Sequence, residues 1–269
     1  MAEAPPLKTP HHRLAVHRQL GPLRLDVDLT LSAPWTLIFG PSGSGKSSLL
    51  RAACGLLPPN GVEFARRDTP DQWLSISTSA THRRALSYAP QNPTLFPHLT
   101  ISENALFPSQ SARSNDNHKL LVEEVLELFE VKIYADRLPR ELSGGERQRV
   151  NLARAFAVPE AKLMLLDEPF SGVDRAMRDA LLPRMQEWLL QRGIPVLSVS
   201  HDVDEALLLG AEVVVLASGS LVGQGPATDV LGEERARMLK VLALPDERST
   251  PTAPAHVPTE PQTEPPPQQ

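Results

Sequence analysis

The chain has 269 residues, 41% of them hydrophobic, a formal charge of −5 and a single cysteine. That size suits one large α/β domain or a domain carrying an insertion, and one cysteine excludes a disulfide framework and fits a reducing cytoplasm. Arginines scattered along helices leave no basic face for nucleic acid. Met1-Ala2-Glu3-Ala4-Pro5-Pro6 does not read as a secretion signal, and no apolar run approaches the ~20 residues of a membrane span, so any membrane role is expected to need another chain.

In chain order, residues 1–12 are read as a flexible N-terminus. Alternation in Leu14 to Leu31, clearest in Leu23-Arg24-Leu25-Asp26-Val27-Asp28-Leu29, predicts half-exposed antiparallel strands forming an edge sheet. The apolar run Trp35 to Phe39 predicts a strand, followed by the glycine-rich Gly40-Pro41-Ser42-Gly43-Ser44-Gly45-Lys46-Ser47-Ser48 and a helix starting at Leu49. Cys54 falls in that helix and reads as a small buried apolar residue. Residues 92–142 break the rhythm with a polar loop, Ser109 to His118, and then Leu121, Val125, Leu128 and Phe129 at helical spacing. They are taken as an inserted helical subdomain.

Leu163 to Leu166 and Pro195 to Ser200 read as fully buried parallel strands. Between them Met177, Leu181, Met185, Trp188 and Leu189 mark a helix, which Gly193 ends. A helix over Val203 to Leu209 follows, and then a hairpin around Ala217-Ser218-Gly219-Ser220. Residues 245–269 include eight prolines and little to bury, which predicts a disordered tail.

Strand, glycine loop and helix together form a phosphate-binding P-loop, the mark of a nucleoside triphosphate site. Gly40, Gly43 and Gly45 let the backbone N–H groups turn inward. Lys46 can reach the β- and γ-phosphates, the Ser47 hydroxyl can ligate Mg²⁺, and Ser48 can donate to the α-phosphate. Asp167-Glu168 follows the buried strand, so both carboxylates are expected beside that loop: Asp167 to orient Mg²⁺, Glu168 to polarise the attacking water. His201 ends the next strand, where it can contact the γ-phosphate or that water. Ser143-Gly144-Gly145-Glu146 combines a Ser-x-x-Glu capping box with two glycines, a second anion site at a helix N-terminus. Two phosphate-binding helix ends for one nucleotide point to a second subunit.

Taken together, the P-loop, Tyr88-Ala89-Pro90-Gln91, Leu142-Ser143-Gly144-Gly145-Glu146, Leu166-Asp167-Glu168-Pro169, Ser171-Gly172-Val173-Asp174 and His201 resemble the ATPase subunits of ABC transporters from about Leu14 to Val230. The resemblance implies an α/β P-loop NTPase core over residues 13–244, with an N-terminal antiparallel β subdomain and the helical insertion. It implies that Gln91 links the Mg²⁺ site to the helical subdomain and acts with Glu168 and His201, and that Asp174 communicates across a dimer. Two copies are expected to pack head to tail, each ATP held between one P-loop and the opposite Ser143-Gly144-Gly145. The chain would lie on the cytoplasmic face of the membrane against permease subunits, receiving a short helix from them near Gln91 and Thr94-Leu95-Phe96-Pro97-His98-Leu99.

Phe96-Pro97-His98-Leu99-Thr100 and the stretches around Leu181 and Ser200 are most similar to importers, particularly molybdate importers, which implies a solute-binding protein outside the membrane. Molybdate or a related oxyanion is the expected cargo, with another small solute as the alternative. Gly172 and Val173 depart from the family's usual Ser-Ala-Leu-Asp. The aromatic that usually stacks on adenine is missing from Val16-His17-Arg18-Gln19-Leu20, so apolar contacts or His17 or Arg18 would serve, with weak base discrimination. A soluble ABC ATPase acting on ribosomes or DNA repair complexes is the rival of another class. One set of motifs and the short insertion count against it.

Overall fold

Period-two alternation near the N-terminus produces β1 (His12–Leu20) and β2 (Leu23–Leu31), paired antiparallel from His12 opposite Leu31 to Leu20 opposite Leu23. Leu14, Val16, Leu25, Val27 and Leu29 turn inward, while His17, Asp26 and Asp28 face solvent. Strand β1 starts at His12, inside the segment assigned to the N-terminus, because His12 also pairs with Arg66 and stacks on Phe64. The structure is a computed structural model that describes residues 11–69, 71–109 and 116–232. The N-terminus up to Pro10 and the expected tail from Pro245 lie outside those residues.

The β1–β2 hairpin belongs to an antiparallel block at one edge of the sheet, and that block is larger than the sequence showed. Two further strands, β4 (Val62–Thr69) and β5 (Gln72–Ser75), lie outside it. With β3 (Trp35–Phe39), β6 (Leu86–Ala89), β7 (Leu163–Asp167), β8 (Val196–Val199), β9 (Glu212–Ala217) and β10 (Ser220–Pro226), a ten-stranded sheet forms in the order β5-β4-β1-β2-β10-β9-β3-β8-β7-β6. Strands β9, β3, β8, β7 and β6 run parallel. Strand β10 returns antiparallel to β9 and meets β2 at Ser220–Asp26, joining the antiparallel and parallel halves.

Both faces of the parallel strands are covered, which is why their sequences are continuously apolar. Ile38, Leu163, Leu165, Leu197 and Val199 enter the core shared with α1 (Lys46–Cys54) and the β1–β2 hairpin. Leu37, Met164, Leu166 and Val196 enter the opposite core, built with α4 (Gly144–Phe156) and α5 (Arg175–Gln191). Cys54 is buried against α1's neighbours, and burial pushes its thiol up to about 12. The guanidinium of Arg84 donates to the carbonyls of Ala52 and Ala53 at the carboxyl end of α1, where the helix dipole favours a cation.

Among the described residues, 92–142 hold no strand but α2 (Ile101–Leu106), α3 (Asp116–Leu128) and three single 3₁₀ turns. A capping box between Thr100 and Glu103 starts α2. Helix α3 begins at Asp116, earlier than the polar loop to His118 implied, with Asp116 in the first turn where a carboxylate suits the dipole. Helices α6 (Val203–Leu208) and α7 (Ala227–Val230) complete the elements of the described residues.

Phe156, on α4, ties the helical insertion to α5. Its ring meets Phe129 edge-on at 4.9 Å and Trp188 at 5.1 Å, so α4, the end of α3 and α5 share one aromatic contact. Truncating a buried phenylalanine leaves a cavity that costs about 3–5 kcal/mol. Chemical denaturation of Phe156→Ala is expected to show that loss; a loss under about 1 kcal/mol would mean the three helices do not depend on this ring.

Candidate active site

The P-loop leaves the carboxyl end of β3 and closes onto α1. Two of its glycines, Gly40 and Gly45, are required by crowding as well as by backbone angle. A Cβ at Gly40 would collide with the carbonyl oxygen of Leu216 in β9, and one at Gly45 with a methyl group of Leu25 in β2. Both sit at positive φ, +148° and +104°. The loop therefore nests between both halves of the sheet. Gly219, in the β9–β10 turn, donates its N–H to the carbonyl of Ser44 from behind, at 3.1 Å.

Lys46 Nζ donates across the loop to the carbonyls of Gly40 at 2.8 Å and Pro41 at 2.9 Å. Burial lowers its pKa, while the charges of Glu168 and Asp167 act in the opposite direction and favour the cation. Ser47 Oγ donates to Asp167 Oδ1 at 2.9 Å. Asp167, only 1% exposed at the end of β7, also accepts from Tyr88 Oη at 3.3 Å. The Tyr88 hydroxyl is itself pushed up to about 12, by burial first and Asp167 second. The P-loop helix and the ends of β6 and β7 thus meet at one carboxylate.

Glu168, next in the chain, adopts φ +45°, a left-handed backbone rarely held by a residue with a side chain. The backbone around it is pinned on three sides. Its N–H donates to Val199 O, its carbonyl accepts from Ser171 N, and Gln148 on α4 donates to Pro169 O at 3.0 Å. The carboxylate is turned toward Gln91, whose Nε2 donates to Glu168 Oε2 at 2.9 Å, and toward His201, whose Nδ1 stands 3.8 Å from the same oxygen. The structure therefore brings together Gly40–Ser48, Gln91, Asp167, Glu168 and His201.

Helix α4 fixes two of these loops through residues that the sequence reading passed over. Gln148 holds the Pro169 turn after Glu168, Asn151 donates to Pro90 O beside Gln91 at 2.9 Å, and Arg154 donates to Thr94 O at 2.7 Å. Their spacing of three places them along one side of the helix. The sequence offers only that interval of three; the contacts themselves appear in the fold alone.

The N-terminus of α4 is built as expected. Ser143 Oγ accepts from Glu146 N, and Glu146 Oε2 accepts from Ser143 N at 2.7 Å. Hydrogen bonds from Tyr134, then from Ser143, pull the Glu146 carboxyl down to about 2. Gly144 has open space where a Cβ would stand, whereas Gly145 faces the carbonyl of Gly172. Asp174 caps α5 by accepting from Met177 N at 2.9 Å. Among the described residues, no hydrogen bond or ion pair joins Ser143, Gly144, Gly145, Glu146 or Asp174 to the P-loop or to Asp167 and Glu168 within one chain.

The two polar candidates for a base contact are already engaged. His17 is held by Asp26 at 2.7 Å and raised in pKa chiefly by that hydrogen bond, and Arg18 donates to Pro58 O at 2.6 Å.

The sequence pattern of the ABC transporter family matches residues 25–171. The molybdenum import ATP-binding protein ModC of Rhodopseudomonas palustris is 36% identical over 234 residues, 85% of this chain and 61% of that protein. The molybdate/tungstate import ATP-binding protein WtpC of Archaeoglobus fulgidus is 32% identical over 231 residues, 86% of this chain and 93% of that one. The bacterial ABC transporter cassette MJ0796, solved as a dimer, superposes with a TM-score of 0.68 and 25% identity over 80% of this chain and 98% of its own. The chain spans 61% and 54% of the length of two ModC relatives it matches. No helix among the described residues is long and apolar enough to cross a membrane. Its α/β core with a P-loop, its ten-stranded mixed sheet and these matches all agree: the chain belongs to the ABC transporter family.

Proposed function

We propose that this chain is the ATP-hydrolysing subunit of an ABC importer, working as a head-to-tail pair against integral membrane permease subunits. The observation that carries the reading is the contact string from Ser47 through Asp167 to Glu168 and Gln91 at the mouth of the P-loop. The N–H groups of Gly40–Ser48 would cradle the phosphates, and Lys46 would exchange the carbonyls of Gly40 and Pro41 for phosphate oxygens. The Ser47 hydroxyl, the Asp167 carboxylate and the Gln91 amide oxygen are all hard oxygen donors, a set that fits Mg²⁺. Gln91 bonds Glu168 through its nitrogen, which leaves its oxygen for a cation. When bound, Mg²⁺ supplies the positive charge that offsets the phosphate oxygens.

Glu168 would accept the proton of the attacking water, with Gln91 and His201 holding that water in line. The glycine pair at Gly144-Gly145 would close on the nucleotide held by the other copy. Hydrolysis would remove the γ-phosphate that both copies grip, and Asp174, at the start of α5, would pass that release across the dimer. We assign residues 92–142 as the helical subdomain within a cassette over 13–244, with residues 1–12 and 245–269 as flanking segments. The subdomain would receive the permease on the cytoplasmic side of the membrane. Likeness to ModC and WtpC supports molybdate or a related oxyanion as cargo, handed over by a solute-binding protein on the far side.

Two substitutions test the assignment. Lys46→Ala is expected to lower ATP affinity at least ten-fold by calorimetry, and Glu168→Gln to keep ATP affinity while turnover falls by about 10²-fold or more. Unchanged affinity in the first, or undiminished hydrolysis in the second, would remove the residue from its role. Since His17 and Arg18 are both occupied by the protein itself, GTP is expected to compete with ATP within about ten-fold; strict adenine selectivity would show a base contact elsewhere.

A further inference from the structure

The His201 imidazole is the least supported member of the site. Its side chain is 76% exposed, and among the described residues no hydrogen bond fixes it; its one ion-pair contact is with Glu168, at 3.8 Å. Its position is therefore inherited from the backbone of residues 200–202, and that backbone is anchored by an ionic cluster, centred on the buried Arg178 and Glu205, that the reaction itself does not use. Arg178, on α5 one turn after Asp174, is buried, and its Nη1 bonds Asp202 and stands 3.9 Å from Glu205 Oε1. Its Nη2 and Nε bond Asp179 at 2.9 Å and 3.0 Å. Asp202 N donates to Ser200 Oγ at 3.1 Å, and the Asp202 side chain caps α6 through Asp204 N. Arg175, also on α5, adds an ion pair with Asp204. Asp202, after His201, is thus clasped to the helix that Asp174 begins, and Ser200, before it, is tied to Asp202. A cavity of about 230 Å³, lined by Glu168, Arg178, Ser200, His201 and Glu205, lies between this cluster and the candidate base.

We propose that Arg178, Asp202 and Glu205 are positioning residues that set where His201 stands against Glu168, and so couple the Asp174 loop to the His201 loop. The proposal rests on the nucleotide-hydrolysis reading above. A purely structural cluster would be expected to favour folding, and Glu205 does not. The groups around it are Arg178 and Asp179 from α5, Ser200, His201 and Asp202 before α6, and Glu168 across the cavity. Burial, the largest influence, pushes its carboxyl up to about 7, with Ser200 and Arg178 opposing and Asp202 adding to the rise. The native state thus binds the Glu205 proton more tightly than the unfolded chain does. Stability linked to Glu205 is full below the ordinary carboxylate range and is lost as pH rises through about 7. Ionised Glu205 is held at a cost to folding, as functional groups often are.

The test compares the full-length wild type with Glu205→Gln and Arg178→Met. At pH 8 Glu205→Gln is expected to melt at or above the wild-type temperature, yet to lose about ten- to hundred-fold in kcat, with KM for ATP within about two-fold. The wild type is expected to lose kcat as pH falls through about 7, a limb that the variant lacks. A variant kcat within two-fold of wild type, or a kcat that falls only in step with melting temperature, would overturn the proposal. A crystal structure of Arg178→Met tests the geometry without turnover: the separation of His201 Nδ1 from Glu168 Oε2 is expected to widen beyond 3.8 Å, and an unchanged separation contradicts the proposal. If the wild type hydrolyses no nucleotide, the hydrolysis reading fails, and this crystal structure still decides whether Arg178 positions His201. Should Arg178→Met not fold, a crystal structure of Glu205→Gln decides the same separation.

Discussion

One hydrogen bond, from Ser47 Oγ to Asp167 Oδ1, joins the two halves of the chemistry. Ser47 stands in the first turn of α1 and Asp167 at the end of β7, 120 residues away in sequence. A carboxylate with so little exposure is costly to bury unless its oxygens are satisfied. Ser47 and Tyr88 supply partners, and the same two partners bring the P-loop and the end of β6 to it. Strands β7 and β8 are fully buried because both sheet faces are covered, so the positions of Asp167 and Glu168 are set by packing. Glu168 then leaves the sheet through a left-handed residue held by Val199, Ser171 and Gln148.

Around this fixed centre, two helices act as mechanical links. Helix α4 begins with the Ser143 cap and carries Gln148, Asn151 and Arg154 to the loops after Glu168 and around Gln91. Any force on its N-terminus reaches both loops through hydrogen bonds rather than through flexible chain. Helix α5 begins with the Asp174 cap and reaches the His201 segment through Arg178. Both N-termini are held rigid, one by a reciprocal capping box and the other by an aspartate cap.

Much of this was legible in the sequence, where patterns are local. The P-loop, the buried runs at Leu163 and Val196, the box of Ser143 and Glu146 and the burial of Cys54 all depend on residues a few positions apart. Strands β4 and β5 were not legible, because Glu63 and the arginines of β4 mask the buried Val62 and Phe64. In the folded sheet Arg13 and Arg67 lie over the ring of Trp73 at 4.2 Å and 5.3 Å, a contact that no window of sequence contains. Gln148, Asn151 and Arg178 escaped notice for a related reason. A polar residue on a helix is ordinarily solvated, and only the fold shows that these three are buried against partners 21 to 61 positions away. Nor does a sequence reveal that Glu168 takes a backbone angle usually left to glycine.

Within one chain, the glycine pair at the start of α4 makes no hydrogen bond to the P-loop among the described residues, although both are helix N-termini made for anions. The account therefore stands on two copies sharing each nucleotide. A crystal structure of the Glu168→Gln chain with ATP and Mg²⁺ measures this directly. The account predicts a two-fold pair in which Ser143, Gly144 and Gly145 of one copy lie within hydrogen-bond distance of the γ-phosphate gripped by Lys46 of the other. A nucleotide held by one copy alone, with Gly144-Gly145 facing solvent in every assembly, would contradict it.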